Sequence, residues 1–178
     1  MKNLLSIDPG VSTGVALFRY SDVEPATLED KWQIEGGIEG FLDWFRDVWE
    51  VRYEEATVVA EKFTPLQNAG HNLTMKSVEP LVIEGALVAF GIMPPYQIGG
   101  NNPQWQRPSQ MYFTGGKTLP EKKKRANAWL KDNGFYVTGK DVGRKDADDV
   151  RSAMLHGITW FRAQRHMPTL TAYFRDEG

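Results

Sequence analysis

Arg144-Lys145-Asp146-Ala147-Asp148-Asp149-Val150-Arg151-Ser152-Ala153-Met154 opens a helix on three carboxylates. From Asp146 the small and apolar residues recur as Val150, Ala153, Met154, Gly157, Ile158 and Phe161, the stripe by which a helix lies against a sheet. Asp149 shares that stripe. At about 100° per residue, Asp146 and Asp149 fall about 60° apart on the helical wheel, while Asp148 lies about 200° from Asp146 and turns outward. Two acids are thus expected to face inward at a helix N-terminus. The helix dipole stabilises a carboxylate there by about 0.3–1 kcal/mol, less than the mutual repulsion of two close, part-buried carboxylates. A divalent cation would resolve the conflict. Taken alone, the stretch also fits a solvated first turn, where Asp is common.

The remaining composition narrows the classes. With 178 residues, 41% hydrophobic and 25% charged, the chain suits one globular domain with a real core rather than a disordered segment. It has no cysteine, which removes disulfides and thiolate zinc sites, and His71, His156 and His166 lack metal-ligand spacing, so a metal would take oxygen ligands. The apolar run before Asp8-Pro9-Gly10 is too short for a signal peptide, and nothing approaches a membrane span; a soluble cytoplasmic protein is expected. Charge is uneven: residues 1–105 carry 7 basic and 15 acidic side chains, residues 106–178 carry 14 and 8. Lys117, Lys122, Lys123, Lys124, Arg125, Arg144 and Lys145 form a basic segment that reads either as a polyanion contact or as a solvated helix face.

Working outward along the chain, Leu4-Leu5-Ser6-Ile7 predicts a buried strand ending at Asp8, and residues 14–18 a second strand after a turn through Val11-Ser12-Thr13. A third strand is expected at 31–34 and a helix at 39–54. Thr57-Val58-Val59-Ala60 is a buried, β-branched run that delivers Glu61 at its end. A helix over 73–90 has Glu84 as its only charge from Leu81 onward, and a sheet covers one side only; the other side predicts a partner subunit, with a covering loop as the alternative. A short strand is possible at Tyr96-Gln97-Ile98, and a short strand or an extended segment at Phe135-Tyr136-Val137; between them lies a basic amphipathic helix over 119–133 capped by Gly134. The acidic helix runs to about residue 165, and a loose tail follows Met167-Pro168. The boundaries expected are one domain over 1–166 and a C-terminal tail over 167–178.

Assembled, Ser6-Ile7-Asp8-Pro9-Gly10 with Thr13-Gly14, Val58-Val59-Ala60-Glu61 with Phe63, Glu84-Gly85, Pro108-Ser109 with Gly115-Gly116-Lys117, and Asp146-Ala147-Asp148-Asp149 follow one another in an order that resembles the RNase H-like superfamily. Within it, they resemble the RuvC-type Holliday junction resolvases. The resemblance implies an α/β fold, a mixed sheet of about five strands flanked by helices, and a tetrad of Asp8, Glu61, Asp146 and Asp149. That tetrad would bind two Mg²⁺ ions, with Mn²⁺ as a substitute, at the scissile phosphate. Carboxylate oxygens select such ions over Zn²⁺ on independent grounds. It implies further a homodimer that resolves four-way DNA junctions, leaving 5′-phosphate and 3′-hydroxyl ends, with Phe63 and the loop over 66–71 near the junction centre; an ordinary core role is the alternative for Phe63. The family often has a lysine where Tyr112 stands, so phosphate contact passes to Lys117 and, more weakly, to Lys122, Lys123, Lys124 and Arg125. Neither Glu84 nor His156 receives a role from the resemblance; His156 lies two turns below Asp149 on a similar face, where it reads either as a structural histidine or as an outer partner of the acids.

Three rivals remain at this point. Another nuclease of the same fold, acting on flaps, single strands or RNA hybrids, would carry the same acids. Asp8-x-Gly10 with Ser12-Thr13-Gly14 also resembles the first phosphate loop of actin-like ATPases, but the chain is too short for their second domain. An inactive DNA-binding relative is the third.

Overall fold

A computed structural model describes residues 1–49, 55–63, 75–95 and 102–174. Its centre is a five-stranded sheet in the order β3-β2-β1-β4-β5, comprising β1 (Lys2–Asp8), β2 (Ser12–Tyr20), β3 (Thr27–Glu35), β4 (Thr57–Glu61) and β5 (Trp105–Gln106). β1, β2 and β3 are antiparallel neighbours, whereas β4 runs parallel to β1 and β5 parallel to β4. The helices are α1 (Gly37–Trp44), continued by a π-helical turn (Phe45–Trp49), then α2 (Met75–Ala89), α3 (Leu119–Asp132), α4 (Asp148–Ala163) and α5 (Met167–Tyr173). This is the expected mixed sheet of five strands flanked by helices.

Two cores lie on opposite faces because side chains alternate along a strand. Leu4, Ala16, Phe18 and Val59 join α3 and α4 residues such as Leu130, Val150, Met154 and Phe161. Leu5, Ile7, Val15, Leu17, Val58 and Ala60 join Phe41, Trp44, Ile83 and Leu87 of α1 and α2. The central strands are apolar on both faces, as a sheet covered on both sides requires. Gly157 sits where a Cβ would lie 2.4 Å from the Phe18 ring, so α4 approaches the sheet at near-contact distance.

Several expected boundaries move. The fifth strand is Trp105–Gln106, not Phe135-Tyr136-Val137; there Phe135 and Val137 are buried plugs in a segment without strand structure. Residues 96–98, the loop over 66–71 and the end of the helix expected over 39–54 lie outside the described residues. The turn assigned to Val11-Ser12-Thr13 is shorter, since Ser12 already pairs with Glu35. α4 begins at Asp148, so Asp146 precedes the helix and its wheel position does not apply. The segment read as loose after residue 166 is α5: Thr169 is fully buried and its Oγ1 accepts from Ala26 N–H at 2.8 Å, while the Tyr173 hydroxyl donates to Ala26 O at 2.9 Å.

Candidate active site

A transverse row crosses all five strands on the face covered by α4. Gln33 pairs with Gly14, Gly14 with Asp8, and Glu61 with Gln106; Asp8 and Glu61 each follow the Ile7–Ala60 pair and leave their parallel strands side by side. Strand parity puts Asp8 in phase with Leu4 and Ser6, and Glu61 in phase with Val59, so both acids turn toward α4. Against this row the helix lays Asp149, Ser152 and His156, at i, i+3 and i+7, which is one helical stripe. Gly14 makes room for it: a Cβ there would lie 2.1 Å from the Asp149 carbonyl carbon.

Each contact along the row has a distinct function. Gln33 Nε2 donates to Asp149 Oδ2 at 2.6 Å, and its Oε1 accepts from Val150 N–H at 3.3 Å. Ala147 gives α4 no side-chain cap, and Gln33 from β3 fills that need for one of the unpaired first-turn donors. Gln33 also hydrogen-bonds Ser12 Oγ. At the centre, the Asp8 carboxyl is pushed well above its ordinary range, first by burial, then by the charges of Glu61 and Asp149; a hydrogen bond from Ser152 and the charge of Lys123 oppose the rise. Burial likewise raises Asp149, against the bonds from Gln33 and Ser12 and with help from Asp146 and Asp148. Further along, His156 is fully buried, with Nε2 at 2.8 Å from Glu61 Oε2 and Nδ1 at 3.1 Å from Gln106 Oε1.

Of the four acids read from sequence, Asp8, Glu61 and Asp149 converge. Asp146 is exposed and stands at the rim, lining with Asp149, Ser12, Gln33 and Arg144 a cleft of about 470 Å³. Asp148 points outward and pairs with Arg151. Asp8, Glu61 and His156 each present one ligand atom within 4.8 Å of the others, so this group could hold a metal ion. Crowded, half-buried carboxylates, with the charges of Glu61 and Asp149 bearing on Asp8, fit a hard divalent cation in their donor type. His156, Gln33, Gln106 and Ser152 were not assigned by sequence reasoning; the stripe Asp149, Ser152, His156 on an otherwise apolar helix face was the available signal.

The basic candidates separate. Lys123 is exposed on α3 and close enough to act on Asp8; it lines a small pocket with Tyr112, Asp148 and Ser152. Tyr112 itself feels the acids, for burial and then the charges of Glu61, Asp8 and Asp148 raise its phenol. Lys117 and Lys124 are exposed, Lys122 is half-buried, and Arg125 is paired with Glu121 at 2.7 Å. Phe63 is half-buried two residues past Glu61, and its N–H donates to the Glu84 carboxylate. Among the described residues no helix is long and apolar enough to cross a membrane.

No protein-family model matches the chain, and no curated protein matches it. Among solved structures it is similar to Thermus thermophilus RuvC in complex with Holliday junction substrate, at 20% identity over 95% of this chain and 98% of that one, with a TM-score of 0.53. A second similar structure is Thermus thermophilus RuvC, at 18% identity over 91% and 96% of the two chains, with a TM-score of 0.50. The chain therefore has the RNase H-like fold of RuvC, with its acids gathered where α4 crosses the ends of β1 and β4.

Proposed function

We propose that the chain is a divalent-cation-dependent endonuclease that resolves four-way DNA junctions. What carries this reading is the meeting of Asp8, Glu61 and Asp149 from β1, β4 and α4 at one half-buried point, on the fold of a protein whose solved complex holds a Holliday junction. Asp8, Glu61 and Asp149, with Asp146 at the rim, would hold two Mg²⁺ ions, or Mn²⁺ in their place. Such ions supply activation of a water and stabilisation of a departing 3′ oxygen.

The chain's own residues do the rest. Ser152 steadies Asp8, while Gln33 and Ser12 steady Asp149, so these two acids are oriented before any substrate arrives. Lys123 and Tyr112 flank the acids and would meet the scissile phosphate, whose charge opposes entry into a field of carboxylates. Lys117, Lys122, Lys124 and Arg125 would contact flanking phosphates, and Phe63 would approach the junction centre. The working unit would be a homodimer in which each active site takes one of two opposed strands. The outer face of α2, with Leu81 and Val82 exposed and open space around Gly85, supports that pairing. On this reading residues 1–166 are the nuclease domain with 167–178 as an appended C-terminal segment, and the protein works in the cytoplasm.

The test is nicking of a synthetic four-way junction beside a flap, an RNA–DNA hybrid and a linear duplex, with Mg²⁺, with Mn²⁺ and with chelator. Paired nicks in opposed strands of the junction, ending in 5′-phosphate and 3′-hydroxyl and lost with chelator, are expected. Preference for the flap or the hybrid reassigns the substrate. Junction binding that never yields nicks defeats the enzyme reading altogether.

A further inference from the structure

An imidazole sealed beneath a sheet end loses hydration at two nitrogens, a cost that hydrogen bonds must offset. His156 is 0% exposed, and both its nitrogens are engaged. An ionised carboxylate only accepts, so the 2.8 Å contact is Nε2–H donating to Glu61 Oε2. The Gln106 amide, 3.1 Å from Nδ1, offers either an oxygen or an NH₂ group and can satisfy that nitrogen with or without its proton. Gln106 is 3% exposed, and its backbone carbonyl accepts from Lys62 N–H at 2.6 Å, which ties its main chain to the residue just beyond Glu61. The ring is thus clamped between the ends of β4 and β5.

Glu61 differs from its partner in exposure. Its side chain keeps 17% exposure while the ring behind it has none, so the imidazole holds the carboxylate from the buried side. A glutamate has several rotatable bonds, and a free one would leave its oxygens disordered toward an incoming ion. We propose that His156, oriented by Gln106, is a positioning residue for Glu61: it fixes Oε2 and so presents the rest of the carboxylate to the divalent cation. This rests on the cation-binding role proposed above for Glu61. Outer partners of this kind set the direction and basicity of the groups that bind an ion. Direct ligation by Nε2 is the rival, since its distance to the acid oxygens would allow it. The complete burial of the ring favours the outer position.

Calorimetric titration of the full chain with Mn²⁺, and pulsed EPR of the Mn²⁺-loaded form, test the proposal. The forms compared are wild type, His156→Gln, which keeps an N–H donor, and His156→Leu, which has none. Wild type should bind Mn²⁺ without coupling to a directly bound nitrogen. His156→Leu should bind about tenfold or more weakly, and His156→Gln should recover most of the loss. Gln106→Leu leaves the ring in place but unclamped and should fall between them; it decides the matter should His156→Leu fail to fold. Unchanged affinity in the folded leucine variants overturns the proposal. So does a nitrogen coupling in wild type that disappears in His156→Gln, which would make the ring a ligand. A wild-type chain that binds neither Mn²⁺ nor Mg²⁺ overturns the cation reading itself, an outcome distinct from the other two.

Discussion

Glu84, half-buried on α2, has its carboxyl pushed up to about 7 from the ordinary 4.5 by burial, with the charge of Glu61 adding to the rise and the Phe63 N–H and Lys62 opposing it. Between those values the folded chain keeps a proton that the unfolded chain has released. Stability from the protonated form is therefore present below about 4.5 and is lost as pH rises through about 7. Glu84→Gln keeps an oxygen for the Phe63 N–H and cannot ionise. Its melting temperature should gain on wild type as pH is raised from about 5 to about 8, and a gap independent of pH would refute the burial argument. A second contrast belongs to neighbouring aspartates. Asp149 faces Asp8 and is fixed by Gln33, whereas Asp148 is exposed and holds Arg151. Asp149→Asn is expected to abolish nicking while junction binding persists. Asp148→Asn should leave nicking within a few-fold and cost about 0.5–1 kcal/mol in urea denaturation, through the lost partner of Arg151.

Elements place these residues by how closely they approach. The start of α4 packs onto β2 at Gly14, where a Cβ would sit 2.1 Å from backbone atoms of Asp149. Neither partner is a flexible tip, so Gly14→Ala must push the helix start away from the sheet. We expect a loss of about 1–3 kcal/mol in urea denaturation. Nicking should fall further than the population of folded chain explains, because Asp149 moves off Asp8. Full activity in a folded Gly14→Ala chain would show that the approach is not needed. The same junction explains why the helix starts later than its pattern suggested. Gln33 accepts from Val150 N–H, doing from β3 what a residue just before the helix does elsewhere, and Asp146 remains in the connecting loop.

For the molecule as a whole, the proposed pairing surface is the outer face of α2. Leu81 and Val82 are each 39% exposed, beside the buried Ile83 and Leu87 that hold the helix to the sheet. A chain with Leu81→Asp and Val82→Asp should keep its fold and run as a monomer in light scattering, against a dimer for wild type. It should nick junctions singly rather than in opposed pairs; a monomeric wild type removes the dimer from the reading. Strands β1 to β4, the acids at the ends of β1 and β4, and the apolar stripe of α4 were legible in sequence because each is a local pattern: an apolar β-branched run along a strand, a period of 3.6 along a helix, an acid after such a run. The two-residue β5 was not, because Trp105–Gln106 is too short to carry a pattern and is a strand only by pairing with β4. Gln33 with Asp149, His156 with Glu61, and Gln106 with His156 were not. They meet across 116, 95 and 50 residues, and only strand register and the crossing of α4 bring them together. Local periodicity says which face a side chain takes, but register says what it faces, and register is chosen by the packing of both cores at once.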